Sequence, residues 1–414
     1  MSAAEDDRRA LIAAQERLGL HVELRRAAGP LAGAPFRAVA RARDATPGMI
    51  AGYGAGDSAE RAALLAVMEY VERQAQFGAP ELPTATVAPY AALGDEALCP
   101  AAFGLYAEPQ YADPTFECER FHAEAPREWV PAFDLHDGTR RLIPIELVFP
   151  RAPLLRRPLV METSSGSAAH RTRAAAELTA LCEVVERDGV MLFWYRAPPT
   201  ATLDLASVTT PSLLAPLERA RARGFVVTIC RLTYDLGVPC FLVLALRGEA
   251  LGYGLGCHPD GGRALSHALD ELGGALDWLC EEDSVSFQYR AISQVRATGD
   301  HYALYHRGPL HGLLRQRLAA TLQQGAPIAV GEAASDDSAR AQLLAALAVR
   351  GYRAYGVDIT PRAFAELGFS VSRVLVPGLI PIHFGIHRAR FGCTRLTGTG
   401  APGRLTTLLP HFLH

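Results

Sequence analysis

Residues 175–187 read AAELTALCEVVER, and their spacing of small and acidic residues predicts a helix with one marked face. The pattern is alanine, three residues, alanine, two residues and glutamate. Positions i, i+4 and i+7 share a helix face, so the alanines permit close packing and the glutamate ends the same stripe. The chain carries this pattern three times, as Ala62/Ala66/Glu69, Ala176/Ala180/Glu183 and Ala264/Ala268/Glu271.

Two of these helices continue as Glu-x-x-Glu-Arg, which adds Glu72 and Arg73 to the first and Glu186 and Arg187 to the second. A solvated surface helix with self-paired charges would explain one such motif. Three units in the same register instead indicate a shared site. Five converging carboxylates cannot all stay ionised without cations, and Mg²⁺ prefers oxygen ligands that it shares with phosphates. The sequence therefore predicts a carboxylate-lined Mg²⁺ site, with a nucleotide as a further candidate ligand.

The composition narrows the class of protein. The chain has 414 residues, of which 49% are hydrophobic, so it can bury a large core. A net charge of −3 gives no electrostatic reason to expect nucleic acid or an anionic membrane surface as a partner. We expect no membrane span, because no apolar run reaches about 18 residues. The N-terminus is polar and acidic, unlike a secretory signal, so we expect a cytoplasmic protein.

Cysteine and lysine usage exclude several chemistries. The eight cysteines are scattered without a Cys-x-x-Cys pair, so we expect reduced thiols and no zinc site. All 41 basic residues are arginine, which excludes a Schiff-base lysine and a P-loop lysine. Any bound phosphate must therefore be held by arginine, by backbone N–H groups or by a bridging metal.

The order of predicted elements favours one large α/β domain of mixed β-sheets with packed helices. Residues 1–50 are predicted as a helix and strands packed on a main domain, which spans residues 51–414. Each alanine–glutamate helix is predicted to follow a Gly-containing loop, so that three loop–helix units converge on the carboxylate-lined site. A β-hairpin is predicted to turn at the sequence HDGT within residues 129–149.

At these residues the chain resembles the YcaO family, from about Gly52 to about His411. The resemblance rests on the order of several segments: MEYVERQA, WVPAFDL, RRLIPIELVF, TSSGSAAHRTRAAAELTALCEVVERDGVMLFW, GLGCHPDGGRALSHALDE, GYRAYGVDIT, VSRVLVPGLIPIHFG and LPHFLH. It implies an ATP- and Mg²⁺-dependent enzyme that activates a backbone amide of a peptide. Members of the family act mostly in the maturation of ribosomally synthesised peptide natural products, including antibiotics.

The resemblance also implies roles for particular residues. It matches five carboxylates to Mg²⁺-binding or nearby acidic positions: Glu69, Glu72, Glu183, Glu186 and Glu271. Arg187 matches a phosphate-binding arginine, and Arg73, which completes the first motif, is a further candidate for binding ATP. No residue is matched to a general base, so the catalytic residue is unknown at this point.

Several family positions that contact the nucleotide are replaced. The replacements are Ala55 for lysine, Ala66 for serine, His170-Arg171 for Gly-Asn, Ala175 for a carboxylate, His267 for arginine and Gly274 for glutamine. Arg171 and Arg173, at the start of the second helix, could supply phosphate donors in their place, and a solvated helix end explains them equally well. His267 could donate to a phosphate or fill the space of the missing arginine.

Two functional hypotheses follow. The first is ATP-dependent amide activation, in which the product would be an azoline, an amidine or a thioamide. The second is a degenerate scaffold of the same family that binds a precursor peptide or a partner enzyme without turnover. The expected partners are the precursor peptide and a separate leader-peptide-recognition or E1-like protein, and a homodimer is a further option.

Overall fold

The computed structural model describes residues 3–26, 35–46, 49–78, 80–281, 291–323, 325, 335–397 and 407–413. Within them the helices are α1 Ala3–Arg17, α2 Ala59–Arg73, α3 Tyr90–Leu93, α4 Glu108–Tyr111, α5 Arg173–Arg196, α6 Pro211–Ala222, α7 Gly261–Glu281, α8 Thr298–Tyr305, α9 His311–Thr321, α10 Asp336–Val349, α11 Arg362–Ala365 and α12 Thr394–Thr397. The strands are β1 Leu20–Arg26, β2 Phe36–Ala42, β3 Ala51–Gly56, β4 Thr86–Pro89, β5 Pro126–Asp134, β6 Arg140–Pro144, β7 Ser167–His170, β8 Thr200–Ala201, β9 Val226–Arg231, β10 Cys240–Arg247, β11 Ala250–Cys257, β12 Leu322–Gln323, β13 Tyr355–Asp358 and β14 Ser370–Leu375.

These strands form several sheets, as the predicted mixed α/β class requires. One three-stranded antiparallel sheet has the order β1-β2-β3, and another has the order β11-β10-β9. A six-stranded sheet runs β4-β5-β13-β14-β7, with β6 paired to β5 as the predicted hairpin. The strand β3, which begins at Ala51, completes the sheet of β1 and β2, so residues 1–50 share a sheet with the start of the 51–414 segment. None of the helices in the described ranges is long and apolar enough to cross a membrane.

The glycines before the first and third helices belong to strands, so the prediction of Gly-rich loops there was wrong. Their missing side chains let the alanine stripe of each helix lie directly on the strand. A Cβ atom added to Gly54 would lie 2.1 Å from the Ala62 carbonyl oxygen, and one added to Gly254 would lie 2.0 Å from that of Ala268. The same contact between strand glycines and helix alanines therefore occurs twice, between β3 and α2 and between β11 and α7.

The second alanine–glutamate helix, α5, lies at the centre of the protein. It begins after Thr172, whose side chain accepts a hydrogen bond from the Ala175 N–H at 3.2 Å, a standard N-cap. One hydrophobic cluster joins Leu181 of α5 to Val374 of β14 and Leu242 of β10. The helix is thus packed between the six-stranded sheet and the β9–β11 sheet, so residues on several of its faces are buried.

Substituting one strand glycine tests the close strand–helix contact. Gly254→Ala is expected to destabilise the protein by about 1–3 kcal/mol, because the new methyl group overlaps the Ala268 carbonyl oxygen and α7 must move. The matched control is Gly274→Ala within α7, where an added Cβ meets nothing within 4 Å. That variant should be stabilised by up to about 1 kcal/mol, since alanine favours helix over glycine. Urea unfolding of both variants measures the difference, and equal stabilities would contradict the packing described.

Candidate active site

The glutamates that end the three alanine stripes, Glu69, Glu183 and Glu271, occupy equivalent places in the three strand–helix units. Glu183 accepts a hydrogen bond from the Gly166 backbone N–H at 2.6 Å, and Glu271 accepts one from the Leu255 N–H at 2.9 Å. Glu69 accepts the corresponding bond from the N–H of Tyr53. Donor and acceptor are 16, 17 and 16 residues apart in the first, second and third units, so the repeat in sequence is also a repeat in structure.

The three units contact one another in a closed cycle. The first helix, α2, packs against β7 of the second unit, and α5 of the second packs against β11 of the third. The cycle is closed by an ion pair between Asp277 of α7 and Arg37 of β2, a neighbour of β3. This arrangement brings the carboxyl-bearing faces of the three helices toward a common region, as the sequence predicts.

Electrostatic interactions connect the five predicted carboxylates. Burial raises the pKa of Glu72 well above its ordinary value, and the nearby charges of Glu183 and Glu69 raise it further. Burial also raises the pKa of Glu186, to about 8, with Glu271 and Glu183 adding to the shift while Arg187 opposes it. The carboxylates therefore form a continuous run from the first helix through the second to the third.

Two arginines supply positive charge inside this run. Arg73 pairs with Glu69 at 2.6 Å and donates to the Ala51 carbonyl oxygen at 2.7 Å. Arg187 lies 3.4 Å from a Glu183 oxygen and 3.9 Å from a Glu186 oxygen. The structure thus brings two of the four arginines predicted to bind ATP to the carboxylates.

His267 also lies in this region. Burial alone would lower the pKa of His267, but the charges of Glu271, Glu186 and Asp270 outweigh that effect and raise it. The ring is one turn before Glu271 on α7, so a protonated His267 adds positive charge at the third helix.

The other two predicted phosphate donors lie elsewhere. Arg171 donates to the carbonyl oxygens of Leu367 and Gly368 at 2.9 and 2.6 Å. Arg173 is exposed and pairs with Glu177 at 2.8 Å. Arg173 precedes Glu183 by ten residues of helix, or about 15 Å. The structure does not bring these two arginines to the carboxylates, because Arg171 is held by carbonyl oxygens distant in sequence and Arg173 by Glu177 of the same helix.

Three buried ionic residues next to the site are not among those that the sequence predicts. Arg373 of β14 donates to Glu162 at 2.8 Å, and Arg390 pairs with the other oxygen of the same carboxylate. The side chains of Arg373, Arg390 and Glu162 are 0%, 1% and 4% exposed. The charge of Arg373 lowers the pKa of Glu72, so this group supports the carboxylate run. The sequence feature that could have indicated this buried ionic group is Arg373, an arginine in the middle of an apolar strand.

Among the described residues, no three His, Cys, Asp or Glu side chains are arranged so that they could hold a metal ion by themselves. The donor chemistry still fits Mg²⁺, which commonly uses one or two carboxylates together with water and phosphate oxygens. Pairs of neighbouring glutamates, such as Glu183 and Glu186 one turn apart on α5, provide such oxygens.

The raised carboxyl pKa values predict how Mg²⁺ binding depends on pH. A protonated Glu186 must lose its proton to bind a cation, so Mg²⁺ affinity is expected to rise by up to about tenfold per pH unit below pH 8 and to level off above it. Folding has the opposite dependence: the stability that protonated Glu186 contributes is present at low pH and is lost as the pH rises through about 8. Calorimetric titration between about pH 6 and 9 measures the first effect. Glu186→Gln should flatten the profile, and a flat profile in the unsubstituted protein would contradict the assignment.

Comparison with known proteins agrees with this architecture. Residues 8–380 match the profile of a family described as YcaO cyclodehydratase, ATP- and Mg²⁺-binding. The chain belongs to the YcaO family, and ATP and Mg²⁺ are the cofactors of that family.

The similar curated proteins are themselves uncharacterised. One, from Rhizobium leguminosarum bv. trifolii, lies in the tfuA 3′ region and is 29% identical over 35% of this chain and 38% of its own length. Another, from Methanothermobacter thermautotrophicus, is 29% identical over 56% of this chain and 58% of its own length. The matched regions thus span less than two thirds of either relative.

Three solved structures share the fold. A heterocyclase in complex with substrate and cofactor matches with a TM-score of 0.75 and 22% identity, over 97% of this chain and 57% of that one. YcaO from Methanopyrus kandleri, bound with AMPPCP and Mg²⁺, matches with a TM-score of 0.60 and 21% identity, over 90% and 91%. The E. coli microcin synthetase McbBCD complex with pro-MccB17 bound matches with a TM-score of 0.58 and 14% identity, over 88% of each chain.

Proposed function

We propose that this protein is an ATP- and Mg²⁺-dependent enzyme that activates a backbone amide of a ribosomally synthesised precursor peptide. The proposal rests mainly on the run of five carboxylates, which comes from the three strand–helix units. Arg73 and Arg187 lie within this run. Such a site combines oxygen ligands for a hard cation with arginine donors for phosphate. Family membership and the described ATP and Mg²⁺ binding support the same chemistry.

The proposed Mg²⁺ ligands are drawn from Glu69, Glu72, Glu183, Glu186 and Glu271. One oxygen of Glu69 and one of Glu183 accept backbone N–H groups, which fixes both carboxylates in place. Their other oxygens are held by Arg73 and Arg187. These arginines compensate the negative charge in this structure, and each is long enough to turn toward a phosphate when a cation takes over that task.

ATP supplies a phosphoryl group that turns the amide oxygen into a leaving group. The part proposed for the chain is to hold and orient the phosphates and to neutralise their charge, through Arg187, Arg73 and His267. The product is an azoline, an amidine or a thioamide according to the nucleophile that attacks the amide carbon. No described residue is assigned as the general base.

The proposed macromolecular ligand is a precursor peptide. Solved relatives with this fold include a heterocyclase with substrate bound and a synthetase complex with pro-MccB17 bound, which supports peptide as the substrate class. We further propose that a separate leader-peptide-recognition or E1-like protein assists; that one structural relative occurs in a complex, McbBCD, supports the presence of a partner protein. A homodimer is part of the same proposal and is testable by light scattering.

The second candidate is a scaffold that binds peptide without turnover. It is favoured by Arg171 and Arg173, which are held by acceptors away from the carboxylates, and by Ala175, where the family pattern has a carboxylate. Fewer nucleotide contacts would weaken ATP binding, since each lost charged hydrogen bond costs about 1.5–3 kcal/mol.

One experiment separates the two candidates. The protein is incubated with ATP, Mg²⁺ and candidate precursor peptides, and both phosphate and peptide mass are measured. The enzyme releases phosphate only when the peptide is present, and the peptide loses one water or exchanges oxygen for sulfur when sulfide is supplied. Peptide binding with unchanged mass and no phosphate release would establish the scaffold instead.

A further inference from the structure

Three cysteine thiols lie together beneath the carboxylate run. Cys182 immediately precedes Glu183 on α5, Cys240 begins β10 and Cys257 ends β11. All three belong to the same hydrophobic cluster and are 7%, 1% and 6% exposed. The thiol of Cys257 adjoins those of both Cys182 and Cys240. Reduced cysteines were expected from the sequence, but not this grouping.

Cys240 and Cys257 face each other directly across the two antiparallel strands. The next residue pair along this strand ladder, Pro239 and His258, is a hydrogen-bonded pair, because the His258 N–H donates to the Pro239 carbonyl oxygen at 3.1 Å. The carbonyl oxygen of Cys240 accepts the Leu232 N–H at 2.8 Å, on the side away from β11. Since hydrogen-bonded and non-hydrogen-bonded pairs alternate along an antiparallel ladder, Cys240 and Cys257 form a non-hydrogen-bonded pair.

This kind of pair suits a disulfide. Opposed residues in a non-hydrogen-bonded pair have Cα atoms about 4.5 Å apart and side chains on the same face of the sheet. Disulfides span Cα separations of about 4.4–6.8 Å. The two sulfurs can therefore bond through rotation of their own side chains, while the strands keep their register.

We propose that Cys240 and Cys257 are a reversible oxidation site, at which hydrogen peroxide converts the two thiols to an intramolecular disulfide. The sulfur of one thiolate attacks the peroxide O–O bond and becomes a sulfenic acid, and the released hydroxide takes up the thiol proton to give one water. The second thiol then attacks the sulfenic sulfur, the S–S bond forms, and the hydroxyl group leaves with the remaining proton as a second water. Two thiols are oxidised and one peroxide is reduced.

The position of this pair ties it to the candidate active site. Leu255, two residues before Cys257, donates its N–H to Glu271, and Cys182 adjoins Glu183 in sequence. The Cys240 thiol is also close enough to Glu186 for the carboxylate charge to act on it. Burial raises the pKa of Cys257 well above its ordinary value, so the thiolate is scarce and oxidation is expected to be slow at neutral pH.

The test treats the whole folded protein with millimolar hydrogen peroxide for hours, then quenches, denatures and alkylates it. We expect a mass loss of about 2 Da per chain before alkylation, a Cys240–Cys257 linked peptide after digestion, and restoration by dithiothreitol. Alkylation of both cysteines should fall at least about tenfold relative to untreated protein. Circular dichroism measured before quenching should be unchanged.

Matched variants complete the test. Cys230 is buried on β9 opposite Leu242 and thus faces no thiol across β10, so Cys230→Ser should leave the 2 Da loss intact, as should Cys182→Ser. Cys240→Ser should abolish the Cys240–Cys257 linked peptide. If that variant does not fold, identifying the disulfide-linked peptides of the unsubstituted protein decides whether Cys240 and Cys257 are bonded. Two free thiols after treatment, sulfonic acid without a disulfide, or a Cys182–Cys257 bond would each overturn the proposal.

Discussion

Arg187→Ala is expected to lower peptide-dependent phosphate release by at least about 100-fold, the usual effect of removing one positioned donor from a reacting oxyanion. Arg187 lies between Glu183 and Glu186 and is proposed to hold a phosphate. The chain has no lysine that could replace it. The expected loss is in turnover, measured by phosphate release and by peptide mass together.

Metal binding should respond differently in the same variant. Arg187 competes for the Glu183 oxygen and opposes the raised pKa of Glu186, which therefore rises further in Arg187→Ala. At a pH well above 8, where this carboxyl is ionised, Mg²⁺ alone should bind Arg187→Ala with retained or higher affinity. The control is Arg362→Ala, whose side chain is 84% exposed on α11 and should keep full activity. If Arg187→Ala turns over at the normal rate, its role in holding phosphate is contradicted. If it loses Mg²⁺ affinity together with its unfolding transition, the residue is structural instead.

Arg373→Met is expected to destabilise the fold by about 3–5 kcal/mol, the largest effect on stability that we predict. The substitution removes a fully buried cation from Glu162 and withdraws positive charge from Glu72. It also removes the donor that the Leu147 carbonyl oxygen has at 3.2 Å, and leaves the Thr163 carbonyl oxygen with the Gln76 side chain as its donor. Denaturant unfolding at neutral pH measures the change.

A double variant distinguishes loss of charge balance from loss of packing. Arg373→Met combined with Glu162→Leu should be less stable than Arg373→Met alone, because the double variant leaves the buried Arg390 without the carboxylate that it pairs with. Arg362→Met serves as the surface control and should change stability by less than about 0.5 kcal/mol. A loss below about 1 kcal/mol in Arg373→Met would show that Arg390 alone can balance Glu162.

The part of the site that the sequence predicts correctly is the part encoded by local periodicity. A stripe of residues at i, i+4 and i+7 determines one helix face wherever the helix packs, so the equivalent places of Glu69, Glu183 and Glu271 follow from spacing. Arg73 and Arg187 follow for the same reason, since each lies one turn beyond its glutamate. That these residues bind Mg²⁺ and phosphate stays a prediction.

The features of the site that the sequence does not predict depend on contacts between residues that are far apart along the chain. Arg373 and Glu162 are 211 residues apart, and Arg390 and Glu162 are 228 apart, so no window along the chain links them. Arg171 looks like a free donor at a helix start until the carbonyl oxygens of Leu367 and Gly368 are folded onto it. Glycines at alternate positions before a helix are equally typical of a phosphate-binding loop and of a strand under close packing, and here the second applies.

The contact between strand glycines and helix alanines also constrains how the sequence can diverge during evolution. In the third unit, a side chain at Gly254 or Gly256 would overlap the backbone at Ala268 or Ala264, so such a change requires α7 to retreat. Because Glu271 is fixed both to α7 and to the Leu255 N–H of the same strand, a retreating helix would take the carboxylate with it. Lineages that retain the chemistry are therefore expected to preserve glycine and alanine together, as co-varying pairs.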